Sequence, residues 1–133
     1  MRSIALPTGA ATPARAWTGR VMSAIPVLFL TFDIVIKLLE LAPVAESFAR
    51  LGYSTNVAIA IGSLELLCLV LYLVPRTAIL GAVLFTGYLG GAIASHVRVG
   101  DPMFTHVLFP TYVAALLWAG LYLRDERLRP LLR

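Results

Sequence analysis

Residues 56–97 read NVAIAIGSLELLCLVLYLVPRTAILGAVLFTGYLGGAIASHV. Two long apolar runs flank one interruption at Pro75-Arg76, and Glu65 is the only acidic residue in either run. A helix needs about 20 apolar residues to cross a hydrocarbon core about 30 Å thick. The stretch therefore predicts two membrane-spanning helices, residues 56–74 and 77–97. The turn between them is so short that they must be antiparallel neighbours.

Two further segments of the same kind lie on either side, at residues 21–41 and 103–123. Gly100-Asp101-Pro102 separates the last two spans. Of the 133 residues, 59% are hydrophobic and 14% are charged, whereas a soluble domain has about half and about a quarter. The sequence therefore predicts an all-α integral membrane protein, a four-helix bundle without room for a second domain.

The segment between the first two spans, residues 43–52, has a different pattern. Val44, Phe48 and Leu51 share one helical face, while Glu46 and Arg50 lie four residues apart on another. The pattern predicts a short interfacial helix, which serves either as a surface connector or as a lid over the bundle.

The basic residues predict the topology, because loops rich in Lys and Arg stay in the cytoplasm. The loops on one side of the membrane hold only Arg50 and Arg98. The segments on the other side hold eight arginines: Arg2, Arg15, Arg20, Arg76, Arg124, Arg127, Arg129 and Arg133. We therefore expect a multi-pass protein of the inner (cytoplasmic) membrane with both termini in the cytoplasm. An N-terminal tail, residues 1–20, and a basic C-terminal tail, residues 125–133, would flank the bundle.

Charge and cysteine usage exclude two classes of protein. The net charge of +4 forms no dense patch with interleaved aromatic residues, so nucleic-acid binding is not expected. Cys68 is the only cysteine, so neither an internal disulfide nor a dithiol relay can form. Cys68 is interpreted as a small core residue.

A stripe of small residues runs along the third span. Gly87 and Gly91 form a G-x-x-x-G pair, and Ser95 extends the stripe by four residues. Small residues at this spacing let helix backbones approach closely. We expect packing inside the bundle, with a homodimer through the Gly87/Gly91 face as the alternative.

Ionisable residues inside the spans are the strongest functional signal, because charges in hydrocarbon are costly. Asp33 lies eight residues and Glu65 nine residues from the outer ends of their spans, which places both about 12–13 Å deep. Lys37 lies one turn from Asp33 on the same face. The polar residues therefore gather in the outer half of the bundle, and two carboxyl groups in a low-dielectric setting would share a proton near neutral pH.

Three interpretations of this layer remain open. Asp33, Lys37 and Glu65 form a network that only fixes helix register, or they line a pocket for a lipophilic molecule with a polar head, or they belong to a proton pathway. In the second case Asp33 and Glu65 are the candidate catalytic residues, and the candidate ligand-binding residues are Lys37, Tyr88, His96, Arg98, His106 and Tyr112. Two histidines without further ligands predict no metal site, and no cofactor is indicated.

The combination of turns and polar residues resembles the DoxX-like family of small bacterial membrane proteins, over roughly residues 20–124. The resemblance rests on Phe32-Asp33 with Lys37-Leu38, Gly62 with Glu65-Leu66 through Pro75-Arg76-Thr77, Thr86 to Gly91 with His96-Val97-Arg98, and Asp101-Pro102 with His106 and Phe109-Pro110. It implies a four-helix membrane fold and, by association with founding members of quinol oxidase and thiosulfate:quinone oxidoreductase systems, a link to quinones.

The sequence thus favours a membrane protein that binds a small lipophilic, quinone-like molecule in a polar outer-half pocket, as a component of a membrane oxidoreductase system. One alternative is a cofactor-free acid–base enzyme, an isomerase, cyclase or hydrolase, acting on a lipophilic substrate. The other is a structural membrane subunit. Expected partners are membrane lipid and the lipophilic molecule itself.

Overall fold

The computed structural model describes residues 12–133, and all regular secondary structure in this part of the chain is helical. The five α-helices are α1 (Pro13–Leu38), α2 (Ala42–Leu51), α3 (Ala58–Leu73), α4 (Ala78–Arg98) and α5 (Phe109–Arg124). A 3-10 turn, Thr55–Val57, leads into α3, and a π-helical turn, Met103–Val107, leads into α5. With these turns included, every helix except α2 is long and apolar enough to cross a membrane. The predicted all-α four-helix bundle with one short extra helix is confirmed.

Helix α1 begins at Pro13, well before the predicted start at residue 21. The Thr12 side chain accepts a hydrogen bond from the Arg15 backbone N–H, and Pro13 suits a first helical turn because it lacks an N–H of its own. Residues 13–20, which were expected to belong to a tail, are therefore helical. Residues 1–11 of that expected tail lie outside the described part of the chain.

Helix α2 confirms the predicted short helix. It ends at Gly52, whose φ of 80° is the left-handed conformation that glycine adopts without steric cost. Its apolar face buries Val44 and Phe48 against Ala58 at the start of α3 and against the partly buried Ile36 of α1. The face therefore packs onto the bundle, while the interfacial position of α2 in the membrane stays a prediction.

The four long helices form a closed ring of contacts. α1 packs against α3 and α5, and α4 packs against the same two helices. The two helices that were predicted to be antiparallel neighbours are α3 and α4, and they pack against each other. We call the end with the start of α1, the α3–α4 turn and the end of α5 the terminal end. The end with α2 and the α4–α5 connection is the loop end.

The core consists of apolar side chains from all four long helices. It includes Leu30 of α1, Cys68 of α3, Phe85 of α4 and Leu117 of α5, each about 1% exposed. Large apolar side chains also cover the outer surface, and Leu28 is 71% exposed. An apolar exterior is what a bundle needs when lipid surrounds it, and Cys68 has the core position that the sequence indicated.

Close helix contacts occur at different glycines from those predicted. A Cβ added to Gly81 would collide with the α3 backbone at Tyr72, and one added to Gly120 would lie 2.8 Å from the Gly19 carbonyl oxygen. At Gly87 and Gly91, by contrast, no described atom outside their own stretch of α4 lies within 4 Å of an added Cβ. The expectation that they pack inside the bundle is therefore wrong, and a homodimer through this face remains a prediction.

The expected basic tail, residues 125–133, folds back onto the terminal end. It forms two 3-10 turns, Glu126–Leu128 and Pro130–Leu132, and Leu128 is buried in the core. The Arg127 guanidinium donates a hydrogen bond to the Pro75 carbonyl oxygen at 2.5 Å. The segment therefore holds the α3–α4 turn against the end of α5.

Candidate functional site

Lys37 is the centre of a polar cluster in the loop-end half of the bundle. It lies one helical turn after Asp33 on α1, so both side chains point the same way. Its ammonium group donates to Asp33 Oδ2, to Glu65 Oε2 at 2.8 Å and to the Tyr88 hydroxyl at 2.8 Å. The cluster therefore joins α1, α3 and α4 through one cation, and Lys37 does not extend outward to the membrane surface.

Glu65 is the buried member of the cluster. Its side chain is 0% exposed, whereas those of Lys37 and Asp33 are 12% and 27% exposed. Its Oε2 accepts hydrogen bonds from Lys37 and, at 2.9 Å, from the Tyr88 hydroxyl. Its Oε1 is buried and has no partner among the described residues. A buried oxygen without a donor costs free energy, so Glu65 has unused capacity to accept a hydrogen bond or hold a proton.

The hydrogen-bond inventory of the cluster is unbalanced. The three ammonium hydrogens of Lys37 and the hydroxyl hydrogen of Tyr88 are all engaged. Both carboxylates keep an oxygen, Asp33 Oδ1 and Glu65 Oε1, for which no partner is found among the described residues. With one cation and two carboxyl groups, the cluster can accept hydrogen bonds but has few left to donate.

A cavity of about 660 Å³ opens beside this cluster. Asp33, Lys37 and Tyr88 form its polar side. Its apolar walls come from all four long helices and include Phe29, Leu64, Leu84, Phe109 and Val113. A mostly apolar cavity with a few convergent polar groups is the usual form of a small-molecule site.

Helix α2 covers the loop end of the cavity. Phe48, Leu51 and Ser47 of α2 line it, as do Tyr53 and, from α4, Ser95. The Tyr53 hydroxyl is 2.8 Å from the Ser95 hydroxyl. α2 therefore occupies the position of a lid over the cavity, one of the two roles considered for it.

Charged groups fasten this cover to the end of α4. The Arg98 guanidinium donates to the Leu51 carbonyl oxygen and lies 5.6 Å from the centre of the Tyr53 ring. Asp101 Oδ1 accepts a hydrogen bond from Arg50 of α2, and Asp101 Oδ2 lies 2.5 Å from His96 Nδ1. The hydrogen bond to His96 and the ion pair with Arg50 hold the pKa of Asp101 below its ordinary value.

The candidate residues from the sequence fall into two groups. Asp33, Lys37, Glu65 and Tyr88 form one hydrogen-bonded cluster, and His96 also lines the cavity. The other three lie elsewhere and are not among the lining residues: Arg98, His106 and Tyr112.

Each of the three residues outside the cavity has a local partner. Arg98 binds α2 as described, and the Tyr112 hydroxyl donates to the Phe104 carbonyl oxygen at 3.2 Å. His106 lies 2.9 Å from the Thr105 hydroxyl and stacks edge-on to His96. Within residues 12–133, no group of three or more metal-ligating side chains is close enough to hold a metal ion.

The sequence reasoning missed two polar contributors, Tyr53 and Ser95. The sequence pattern places Ser95 only in the small-residue stripe, and it gives Tyr53 no role. Their pairing depends on the fold of the loop after α2, which brings residues 42 positions apart into contact. No local pattern signals such a contact.

A model of one protein family matches the part of the sequence that forms this site. No curated protein and no solved structure shows a significant match to the chain. The profile of the DoxX-like family, however, matches residues 21–120, which hold Asp33, Lys37, Glu65, Tyr88 and most of the surrounding bundle. The match covers about three quarters of the 133 residues, and the chain belongs to the DoxX-like family.

Proposed function

We propose that this membrane protein binds a small lipophilic molecule with a polar, quinone-like head group in the cavity beneath α2, as a component of a membrane oxidoreductase system. The observation that carries the proposal is the cavity itself. The cavity has a volume of about 660 Å³ and is lined mainly by apolar side chains. Its polar groups converge at Asp33, Lys37 and Tyr88. An apolar ring and tail would contact the walls, and the head group would meet the polar side.

The hydrogen-bond balance favours one redox form of such a ligand. A quinone carbonyl needs a donor, but with both carboxylates ionised the cluster offers none, because the hydrogens of Lys37 and Tyr88 are already used within it. A quinol hydroxyl can donate to Asp33, whose side chain is partly exposed beside the cavity. Hydrogen bonds to a charged acceptor are among the stronger ones in proteins. We therefore expect the reduced form to bind more tightly than the oxidised form.

The test compares decylubiquinol with decylubiquinone as probes, titrated into the purified protein in detergent. Decylubiquinol should bind more tightly to the wild type. Asp33→Asn should weaken decylubiquinol binding by about tenfold or more, because a charge-assisted hydrogen bond contributes about 1.5–3 kcal/mol. Asp125→Asn is the matched control, since Asp125 pairs with Arg127 at the terminal end, away from the cavity.

Equal affinity of the two probes would contradict the hydrogen-bond argument. A wild-type protein that binds neither probe, and yields no lipophilic molecule on solvent extraction and mass spectrometry, would overturn the proposed function. An equal loss of binding in Asp33→Asn and Asp125→Asn would show that the effect comes from folding rather than from the site.

A second candidate function is a cofactor-free acid–base enzyme acting on a lipophilic substrate. It is favoured by the position of Asp33, which faces the cavity and is linked through Lys37 to the buried Glu65. Asp33 could take a proton from a substrate carbon, with Glu65 as a second carboxyl group within the cluster. Incubation with membrane lipid extract in D₂O would then place deuterium on a carbon of the substrate, and Asp33→Asn would abolish that exchange. A pure binding protein would cause no such exchange.

A further inference from the structure

A second cavity, of about 720 Å³, opens at the terminal end of the bundle. It lies between the first part of α1, the end of α3 and its turn, and the segment after α5. Its lining includes four arginines and two carboxylates: Arg20, Arg76, Arg124, Arg127, Asp125 and Glu126. Four positive and two negative side chains leave a formal excess of two positive charges, so the cavity attracts anions.

Two of the four arginines, Arg20 and Arg76, have no side-chain partner among the described residues. Arg127 pairs with Asp125 and donates to the carbonyl oxygen of Pro75. Neither the Arg20 nor the Arg76 side chain forms a hydrogen bond or ion pair with any residue in the range 12–133. No described residue therefore competes with a ligand for the donors of these two guanidinium groups.

A third arginine is held in place by buried polar groups. The Arg124 Nε donates to the Ser23 hydroxyl at 3.3 Å, and its guanidinium lies 5.1 Å from the centre of the Tyr72 ring. The Ser23 and Tyr72 hydroxyls are 2.8 Å apart, and Tyr72 also donates to the Leu117 carbonyl oxygen at 2.7 Å. Ser23 is 6% and Tyr72 0% exposed. This buried support orients Arg124 before any ligand arrives.

The chemistry of these groups identifies a class of ligand. Guanidinium groups bind phosphate oxygens through paired N–H donors, and several of them around one cavity suit a phosphate better than a single carboxylate. The cavity lies at the terminal end, where α3 and α4 meet at their turn and α5 ends at Arg124, and Arg20 lines it from about two turns inside α1. Helix ends at this level meet the phosphate groups of the bilayer.

We propose that the terminal-end cavity binds a phosphate-bearing anion through Arg20, Arg76 and Arg124, the phosphate being that of an anionic phospholipid head group or of a soluble phosphate. This site is separate from the loop-end cavity. The two sources share the same recognition chemistry and differ in whether an acyl chain accompanies the phosphate.

The experiment measures ligand retention and thermal stability of the full chain in detergent. Native mass spectrometry with added phosphatidylglycerol or phosphatidylcholine reports the lipid arm, and the melting temperature with inorganic phosphate, without lipid, reports the soluble arm. Arg20→Gln and Arg76→Gln are the test variants, since neither side chain has a partner within residues 12–133 and neither should be needed for folding there. Arg133→Gln is the matched control, because it removes the same charge at a residue that does not line the cavity.

We expect phosphatidylglycerol to be retained in preference to phosphatidylcholine, and each test variant to bind it about fivefold more weakly, as the loss of one arginine near a head group predicts. Protection by inorganic phosphate alone, lost in the same two variants, would assign the soluble source. Equal retention of both lipids together with no protection by phosphate would overturn the proposal. So would a loss in Arg133→Gln as large as in the test variants, since that result reports net charge rather than a site.

Discussion

Removal of Lys37 should destabilise the bundle more than removal of any surface charge. The variant Lys37→Met keeps the aliphatic length of the side chain and removes the ammonium group. It leaves Glu65, which is fully buried, without the cation that lies 2.8 Å from its Oε2. At that distance the gross Coulomb interaction is about 6 kcal/mol for an effective dielectric constant of about 20.

The net cost is smaller than this gross interaction for two structural reasons. Removing one partner of a buried pair typically costs about 3–5 kcal/mol: the remaining charge is left uncompensated, but the desolvation cost of the removed ammonium group is recovered. Glu65 also keeps a hydrogen bond from Tyr88 at 2.9 Å, and water screens the partly exposed Asp33. We therefore expect a loss of about 3 kcal/mol, or roughly 10 °C in melting temperature for a chain of this size.

The assay is a melting curve in detergent. Its readout is the amount of protein that still elutes as a single species after heating. The double variant Lys37→Met/Glu65→Gln should recover at least half of the loss, because it removes the stranded charge as well. Arg133→Met is the control for the loss of a positive charge at an exposed site. A single variant that melts within about 2 °C of the wild type, or a double variant less stable than the single one, would refute this account of the cluster.

Three further outcomes are expected from the structure. Gly81→Ala should cost about 1–3 kcal/mol of stability because the new Cβ would meet the α3 backbone. Gly90→Ala has open space around it and should be neutral or stabilising by up to about 1 kcal/mol. Melting curves of the two variants measure this difference. The pKa of Asp101 is lowered by its hydrogen bond to His96 and its ion pair with Arg50. The stability that Asp101 contributes is therefore complete above about pH 4 and is lost as the pH falls through the lowered pKa. Asp101→Asn should lack this acid step when melting curves are measured over a pH series. Tyr53→Phe removes the link to Ser95, so amide exchange should accelerate in α2 and stay unchanged in α3.

The number and order of helices could be predicted because each depends on local sequence. About 20 apolar residues between Pro or Gly breaks suffice to define a span, and the short break at Pro75 fixes the pairing of α3 with α4. The boundary error at α1 has a local cause as well. Thr12 and Pro13 are a helix-start signal, but the Ala- and Arg-rich composition around them favoured the interpretation of residues 1–20 as a tail.

The glycine stripe shows where local reasoning ended. The spacing of Gly87 and Gly91 satisfies the small-residue rule, yet no helix of the described chain lies against them. Gly81 and Gly120 carry the close contacts, although neither belongs to a stripe. Which glycine is used depends on the rotation of each helix about its axis, and that rotation is set by all the packed side chains together.

The candidate site divides in the same way. Asp33 and Lys37 could be paired from their spacing of four on one helix, and the similar depth of Glu65 brought it to the same level. Tyr88 was one of several tyrosines without a distinguishing pattern, and its hydroxyl completes the cluster only because α4 presents it to α1 and α3. His106 was a candidate because it lies near a helix end, and Tyr112 because a tyrosine within a span can line a cavity. In the structure the Thr105 hydroxyl and the Phe104 carbonyl oxygen engage them instead.

The two cavities make opposite electrostatic demands on their ligands. The loop-end cluster holds one cation and two carboxyl groups, and its free positions are acceptors, so a negatively charged head group meets repulsion there and a neutral hydroxyl does not. The terminal-end cavity has two more arginines than carboxylates, and its free positions are donors. A phosphate-bearing lipid is therefore excluded from the first cavity by the same physical rule that favours it in the second. A lipophilic hydroxyl compound and an anionic phospholipid should consequently bind the same molecule without competing, and competition between them would show that one of the two assignments is wrong.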